Sequence, residues 1–330
     1  MKYIINDLTN RIDTFLKGLV EEESGQGWFI KTNRHSCKDS PLDHPTDSDL
    51  HRYAMELRNH PVPSEDIDID SIDFAPCFEA MCVSRIKSTV VKSGEDVMSL
   101  LLRSKRIHDD CTIQVKLCPT PWDFYLAFTA FRNSMASHPL HEFRCYVVAR
   151  KLRCIVQYSY LIECPISPVS MPHAVAQMAV VVQEYMKSLP VGVADVALDL
   201  QCVPLTEDGE EWGANVIEAN PLGPGTVWGL VNWVQDSPWI LQDAVTTPPF
   251  PVRVEDTQGG ERKIEWYTYT NISTDSLVRI EDVTNSEAAN VDIVVMYTSR
   301  HPKGLSLGAL AHVPPDYMLI IWEQWGIDKR

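Results

Sequence analysis

Residues Val196 to Gly225 read VALDLQCVPLTEDGEEWGANVIEANPLGPG. Two apolar runs flank Glu207-Asp208-Gly209-Glu210, and an Asp-Gly pair in that setting is a strong hairpin signal. Each run carries a carboxylate where a core residue is expected, Asp199 in the first and Glu218 in the second. With Asp208-Gly209 as a two-residue turn, Asp199 and Glu218 stand directly opposite one another, their Cβ atoms about 5 Å apart. Asn220 points to the same face as Glu218. A β-bulge in either strand would shift this register. Opposed carboxylates repel unless a proton or a cation neutralises them. Two acids and an amide oxygen form a hard, all-oxygen half-shell suited to Mg²⁺. The plainer reading places both acids on the solvent face of a hairpin. Pro221-Leu222-Gly223-Pro224-Gly225 then breaks the strand and leaves Asn220 beside a loop.

The 330 residues suffice for two ordinary domains or one large α/β unit with subdomains. A formal net charge of −16 makes binding of nucleic acid by bulk charge unfavourable. The opening MKYIINDLTNRIDTF has no apolar signal region, and no apolar run is long enough to cross a bilayer. The nine cysteines form no CxxC pair, which speaks against a zinc knuckle or a disulfide framework. The expectation is a cytoplasmic protein with reduced thiols and no membrane partner.

Along the chain, INDLTNRIDTFLKGLV (5–20) has helical apolar spacing with Asn6 as its cap, and GWFIKTN (27–33) reads as a strand. Residues 36–72 are a polar excursion with one helix near 48–58, ending in the acidic run EDIDIDSID. SGEDVMSLLLRSKR, from Ser93, has acids in its first turn and bases in its last, a helix signature. CTIQVKLC (111–118) reads as a strand, and PWDFYLAFTAFRNSMA as a helix opened by Thr120-Pro121. HEFRCYVVARKLRCIVQYSY (141–160) reads as two strands hinged near Arg150-Lys151, followed by a helix from Pro172 to about Ser188. In the tail, KIEWYTYTN and VDIVVMYTS are strand candidates, and DYMLIIWEQWG is a short apolar close. The whole reads as α+β with mainly antiparallel sheet.

These residues resemble a known family. The spacing from Asp199 to Glu218-Ala219-Asn220-Pro221 resembles the metal-binding end of ATP-grasp proteins, and more closely that of the cell division cycle protein 123 family. FIKTNRHSCKD resembles the lysine-bearing segment of that family and places Lys31, Asn33, Lys38 and Asp39 on matching positions. KSGEDVMSLLLRSKRI resembles its helix ahead of the hinge. HEFRCYVVARKLRCIVQYSY resembles its EFRC hairpin, carrying over Glu142, Arg144, Gln157 and Tyr160. The likeness covers about 27–236. One departure is that the family's Gln-Arg-Asp reads Gln157-Tyr158-Ser159 here.

The resemblance implies an ATP-grasp fold, two subdomains with mainly antiparallel sheets enclosing a nucleotide cleft. It implies an N-terminal subdomain over 1–110, a C-terminal subdomain over 111–250 and a divergent extension over 251–330. By the same analogy Lys31 and Lys38 contact ATP phosphates, and Lys116 lies near the nucleotide on a hinge-side strand. Arg144 faces the phosphates from the sheet, and Asp199, Glu218 and Asn220 hold Mg²⁺. Lys31 and Arg144 would then be the catalytic pair. Read alone, Lys31 and Lys38 are surface lysines, Lys116 can snorkel from a strand edge, and Arg144 can pair with Glu142 or another nearby acid. The implied function is an ATP-dependent carboxylate–amine or carboxylate–thiol ligase. The alternative is an ATP-binding assembly factor for eukaryotic translation initiation factor 2, engaging its γ subunit. His138, His141 and Cys145 form no catalytic set and read as loop and packing residues. The loop 40–75 and the tail 251–330 are the expected places for a substrate pocket or partner surface.

Overall fold

The computed structural model describes residues 2–19, 27–60, 74–117, 123–159, 162, 164–167, 169–206, 211–223, 240–241, 253–257, 260–269, 277–279, 293–300 and 314–325. The acidic run 65–73 and the tip of the quoted hairpin, 207–210, lie outside them. The chain divides into two compact units, one of residues 1–69, 74–139 and 311–330, the other of 70–73 and 140–310. The boundaries read from sequence are 110/111 and 250/251.

The first unit gathers helices around a two-stranded sheet. Helix α1 (Lys2–Gly18) begins before Asn6, so Asn6 sits inside the helix and does not cap it. Strand β1 (Trp28–Thr32) is followed by short α2 (Ser40–Asp43), α3 (Asp47–Leu57), α4 (Ala75–Ser88), α5 (Gly94–Arg103) and α6 (Lys105–Leu117). β2 (Leu126–Ala130) pairs antiparallel with β1, and α7 (Asn133–Ser137) follows. The helix expected over 121–136 is thus a strand and a short helix: Leu126, Phe128 and Ala130 are more shielded than Ala127 and Thr129, an alternation of period two. The strand expected at 111–118 is the second half of α6. Its alternating Ile113, Val115 and Leu117 are exposed, while Ile107 and Asp110 are the buried positions, three apart on one helical face.

Local chemistry explains the boundaries. Ser93 accepts a hydrogen bond from Asp96 N–H, and Asp96 accepts one from Ser93 N–H, a complete capping box that starts α5. Thr46 and Asp49 form the same device at α3. At the start of α6, Asp39 accepts from the Ser104 hydroxyl at 2.7 Å and from Arg106 N–H at 2.9 Å. Val97, Leu100, Ile12, Ile30, Val91 and Ile107 close into one apolar cluster. Each such side chain contributes about 1.5–3 kcal/mol when fully buried. Gly94 is where α5 meets α1: a Cβ there would lie 2.3 Å from the Thr9 carbonyl oxygen, so only glycine allows the approach. Gly94 N–H donates to Asp13 at 2.6 Å across that joint.

The second unit is built on one sheet. β3 (Glu142–Val148) and β4 (Lys151–Gln157) form the hairpin expected from sequence. α8 (Met171–Ser188) precedes β5 (Val196–Pro204) and β6 (Trp212–Asn220), and β7 (Arg253–Thr257), β8 (Gly260–Tyr269), β9 (Leu277–Arg279) and β10 (Ile293–Arg300) follow. Among the described residues the strand order is β6-β5-β3-β4-β10-β8-β7, with β9 beside β8. All neighbours pair antiparallel except β10 with β4. Mixed α+β architecture with mainly antiparallel sheet is therefore what the chain forms. The β3–β4 turn holds Ala149 and Arg150 at φ 49° and 63°, a left-handed pair that non-glycine residues adopt at a cost. Arg150 offsets it by donating to the Val193 carbonyl at 2.9 Å and to the Met186 carbonyl near the end of α8.

α8 covers one face of this sheet. Met171, Ala174, Val175, Met178 and Val182 pack on Phe143, Cys145 and Val147 of β3 and on Leu198, Leu200 and Cys202 of β5. Cys145 is thereby a packing residue, as expected from sequence. Burial pushes the Cys202 thiol up to about 12 and holds that of Cys145 well above its ordinary value, so neither is a thiolate at neutral pH. The last described helix, α9 (Pro315–Trp325), belongs to the first unit. Its buried Tyr317 lies against Tyr53 of α3, ring centroids 4.9 Å apart, and donates to the Pro41 carbonyl at 2.8 Å.

Candidate functional site

Strand parity puts Arg144 and Tyr146 on the face of β3 opposite Phe143 and Cys145. It does the same for Asp199 and Gln201 on β5, opposite Leu198 and Leu200. In register, Arg144 faces Asp199 and Asp199 faces Glu218. A cation and two acids therefore form a row across β3, β5 and β6.

The opposition of Asp199 and Glu218 matches the sequence expectation, but its origin differs. At the loop end of the hairpin, Pro204 pairs with Trp212 and Leu200 with Val216, one residue out of step with a two-residue turn at 208–209. Between Leu200 and Asp199 the register shifts and leaves Ile217 as the extra residue of a bulge. Before the bulge, Trp212, Ala214 and Val216 pack with the α8 core; after it, Ala219 does. Glu218 and Asn220 are thereby moved to the polar face. The bulge that threatened the arrangement on paper is what creates it.

The side chains converge. The Asn220 amide donates to Glu218 Oε1 at 3.1 Å and to Asp199 Oδ2 at 3.3 Å. Arg144 grips Asp199 with two bonds, Nε to Oδ1 at 2.6 Å and a terminal nitrogen to Oδ2 at 2.7 Å. Arg144 is 3% and Asp199 0% exposed. Tyr158 lays its ring over the guanidinium, 5.1 Å from centroid to Cζ. Burial alone would lower the Arg144 pKa, but the bonds and charge of Asp199 more than offset it and leave it raised. Of the alternatives open for Arg144, the structure takes an acid from the neighbouring strand: the guanidinium is directed at Asp199.

Two carboxylates and an amide are the donor types that a hard divalent cation takes. The Asn220 amide bridges the two carboxylates, the point at which both acids place oxygen. Turning that amide over would present Oδ1 there instead, and the N/O orientation of an amide is set by its partners. Asp199 Oδ2 has lone pairs for both an arginine and a further partner. Glu218 and Asn220 are half-buried, so the approach is from their side.

The three predicted lysines belong to the first unit. Lys31 lies on β1 opposite Ala127 and is half-buried, as is Lys38 ahead of α2. Lys116 is exposed in the last turn of α6, which corrects its placement on a strand. Sequence reading missed Tyr158 as the cover of Arg144. It also missed the contact of His35 Nδ1 with Asp110 at 2.7 Å, which joins residues 75 apart in the chain. The tyrosine had a signal, because it replaces the arginine of the family pattern; the histidine contact had none.

Among the described residues no helix is long and apolar enough to cross a membrane. No protein-family model matches the chain, and no curated protein matches it. Among solved structures it is similar to Cdc123 from Schizosaccharomyces pombe and to a C-terminally truncated form of that protein. In both comparisons the sequence identity is 17%, the TM-score is 0.41, and 69% of this chain and 72% of the other are covered.

Proposed function

We propose that the chain binds Mg²⁺-ATP through the polar face of β5 and β6 and acts as an ATP-grasp ligase, joining a carboxylate to an amine or thiol. The observation that carries this reading is the convergence of Asp199, Glu218 and Asn220 beside a buried arginine. Asp199, Glu218 and Asn220 would hold the cation. The cation would supply charge neutralisation for the nucleotide phosphates. Arg144 holds both oxygens of Asp199 and fixes the angle of its carboxylate, and the Tyr158 ring covers the guanidinium. In the reaction a substrate carboxylate attacks the γ-phosphorus, ADP leaves, and an amine or thiol then displaces phosphate from the acyl phosphate. Lys31 and Lys38 stand as phosphate contacts on the sequence resemblance.

A second reading is nucleotide-dependent assembly of translation initiation factor 2. One observation favours it: the Arg144 guanidinium is committed to Asp199 and is not offered whole to a transferring phosphoryl group. Release of ADP and phosphate in the presence of amino-acid pools separates the two. No release with any pool, together with capture of the factor's γ subunit, selects assembly.

The binding claim is tested by Asp199→Asn and Glu218→Gln. Each is expected to weaken Mg²⁺-ATP at least tenfold in calorimetric titration. Glu218→Gln is the cleaner variant, since Glu218 is half-buried and Asp199 anchors Arg144. Unchanged nucleotide affinity in a folded Glu218→Gln protein would remove the metal assignment.

A further inference from the structure

A polar cleft of about 190 Å³ opens in the first unit between the start of α3, the end of α4 and the outer side of α5. Its walls include Arg52, Arg103, Ser48, Ser99, Asp49 and Asp96. Formal charge there sums to zero, so what matters is which groups are already used.

Each acid already has one oxygen engaged. Asp49 Oδ2 accepts from Thr46 N–H, from the Thr46 hydroxyl and from Arg103, each at 2.8 Å. Asp96 Oδ2 accepts from Lys92 N–H at 2.8 Å and Ser93 N–H at 3.0 Å. The donors are not spent. Arg52 makes a single hydrogen bond, to Ser88 Oγ at 3.2 Å, and leaves most of its fork free. Arg103 places three bonds through one terminal nitrogen, on the Ser40 and His44 carbonyls and Asp49, while its Nε is buried without a partner. Ser48 and Ser99 contribute hydroxyls with no hydrogen bond. Asp47 and Ser48 are the first residues of α3, and their N–H groups have no intrahelical acceptor by position. The cleft therefore has more open donors, two of them guanidinium groups, than open acceptors.

A compact ligand with several acceptor oxygens and negative charge completes such a site, and a forked guanidinium suits a phosphate oxygen pair. We propose that this cleft binds a phosphate group, free or as a monoester, with Arg52 as its main ligand and Ser48, Ser99 and the first turn of α3 as supporting donors. The site shares no residue with the sheet face assigned to Mg²⁺-ATP. It rests on other residues and stands or falls independently.

The test is equilibrium dialysis of the full chain against radiolabelled inorganic phosphate without nucleotide or Mg²⁺, at ionic strength held constant with chloride. Phosphoserine is run as the monoester arm. Saturable uptake of one equivalent is expected. Arg52→Gln should weaken it at least tenfold, and Arg52→Lys, which keeps the charge and loses the fork, should fall between. Arg52 carries only its bond to Ser88, so both variants should keep the wild-type melting profile. Saturable phosphate binding assigns the free ion or a small phosphorylated molecule; uptake of phosphoserine alone assigns a phosphorylated side chain. Either supports the site. Absence of saturable uptake of both ligands, or equal uptake by folded Arg52→Gln, would overturn it.

Discussion

Each unit holds an arginine–aspartate pair among the described residues, and the two pairs are built differently. Arg144 and Asp199 lie on adjacent strands, make two bonds and are almost wholly excluded from water. Arg103 and Asp49 join two helices through one bond at 2.8 Å, at the edge of an open cleft, with side chains 20% and 6% exposed. In the second pair each partner has other company: Asp49 is also held by Thr46, and Arg103 by two backbone carbonyls. In the first, two bonds join the partners directly, and Asp199 also accepts from the Asn220 amide. The first is a fixed charge device within a sheet. The second is a brace shared among several groups, so no single bond carries it.

Removing one partner tests that contrast most severely. Arg144→Ala should cost about 3–5 kcal/mol in urea unfolding, because it leaves Asp199 charged and buried. Arg103→Ala should cost less, about 1–3 kcal/mol, since Asp49 keeps its Thr46 donors. Equal losses would break the comparison. Next in size is the double replacement Arg144→Met with Asp199→Leu. It should recover most of the loss seen in Arg144→Ala, since an apolar pair of similar volume avoids desolvating charges. On the proposed function nucleotide binding should be lost in the double variant, and a stable protein without it would show that the pair is kept for its charge and not for stability.

The smallest effect is a pH dependence. Burial by itself would raise the Asp49 pKa; the Thr46 hydrogen bonds, a Ser88 bond and the Arg103 charge outweigh it and hold the carboxyl below its ordinary 3.8. A carboxyl depressed in the folded state stabilises the protein above its unfolded pKa, and that contribution is lost as pH falls through the folded value. Asp49→Asn should therefore cost about 1–2 kcal/mol at pH 7. The gap from wild type should close below the ordinary carboxylate range. A constant gap from pH 7 to pH 3 would assign Asp49 a purely steric role.

Much of the frame was legible in the sequence because its signals are local. The helix start at Ser93 and the turn near Arg150-Lys151 read correctly because capping and turn chemistry act within a few residues. The CTIQVKLC segment misled because its alternating apolar residues are on the surface, and the helix is set by Asp39 and Ser104 at its start. β2 misled for the opposite reason: Leu126–Ala130 becomes a strand only by pairing with β1, a partner about a hundred residues away in sequence. Helix α4 escaped notice because its buried face includes small or polar residues, Cys77, Ala80, Cys82, Ser84 and Ser88, which give little apolar periodicity. At the site, spacing and residue type pointed to Asp199, Glu218 and Asn220. The grip of Arg144 on Asp199 needed the β3–β5 register, which no local pattern encodes.

The extra residue in β6 acts as a parity switch. Side chains ahead of Ile217 alternate in one phase and those after it in the other, so Val216 meets α8 while Glu218 meets Asp199. A substitution here alters one contact. Loss of one residue would exchange the occupants of both sides of the strand end, sending an acid and an amide into oil and an alanine toward the guanidinium. At this point in the chain, residue count carries as much chemical meaning as residue identity.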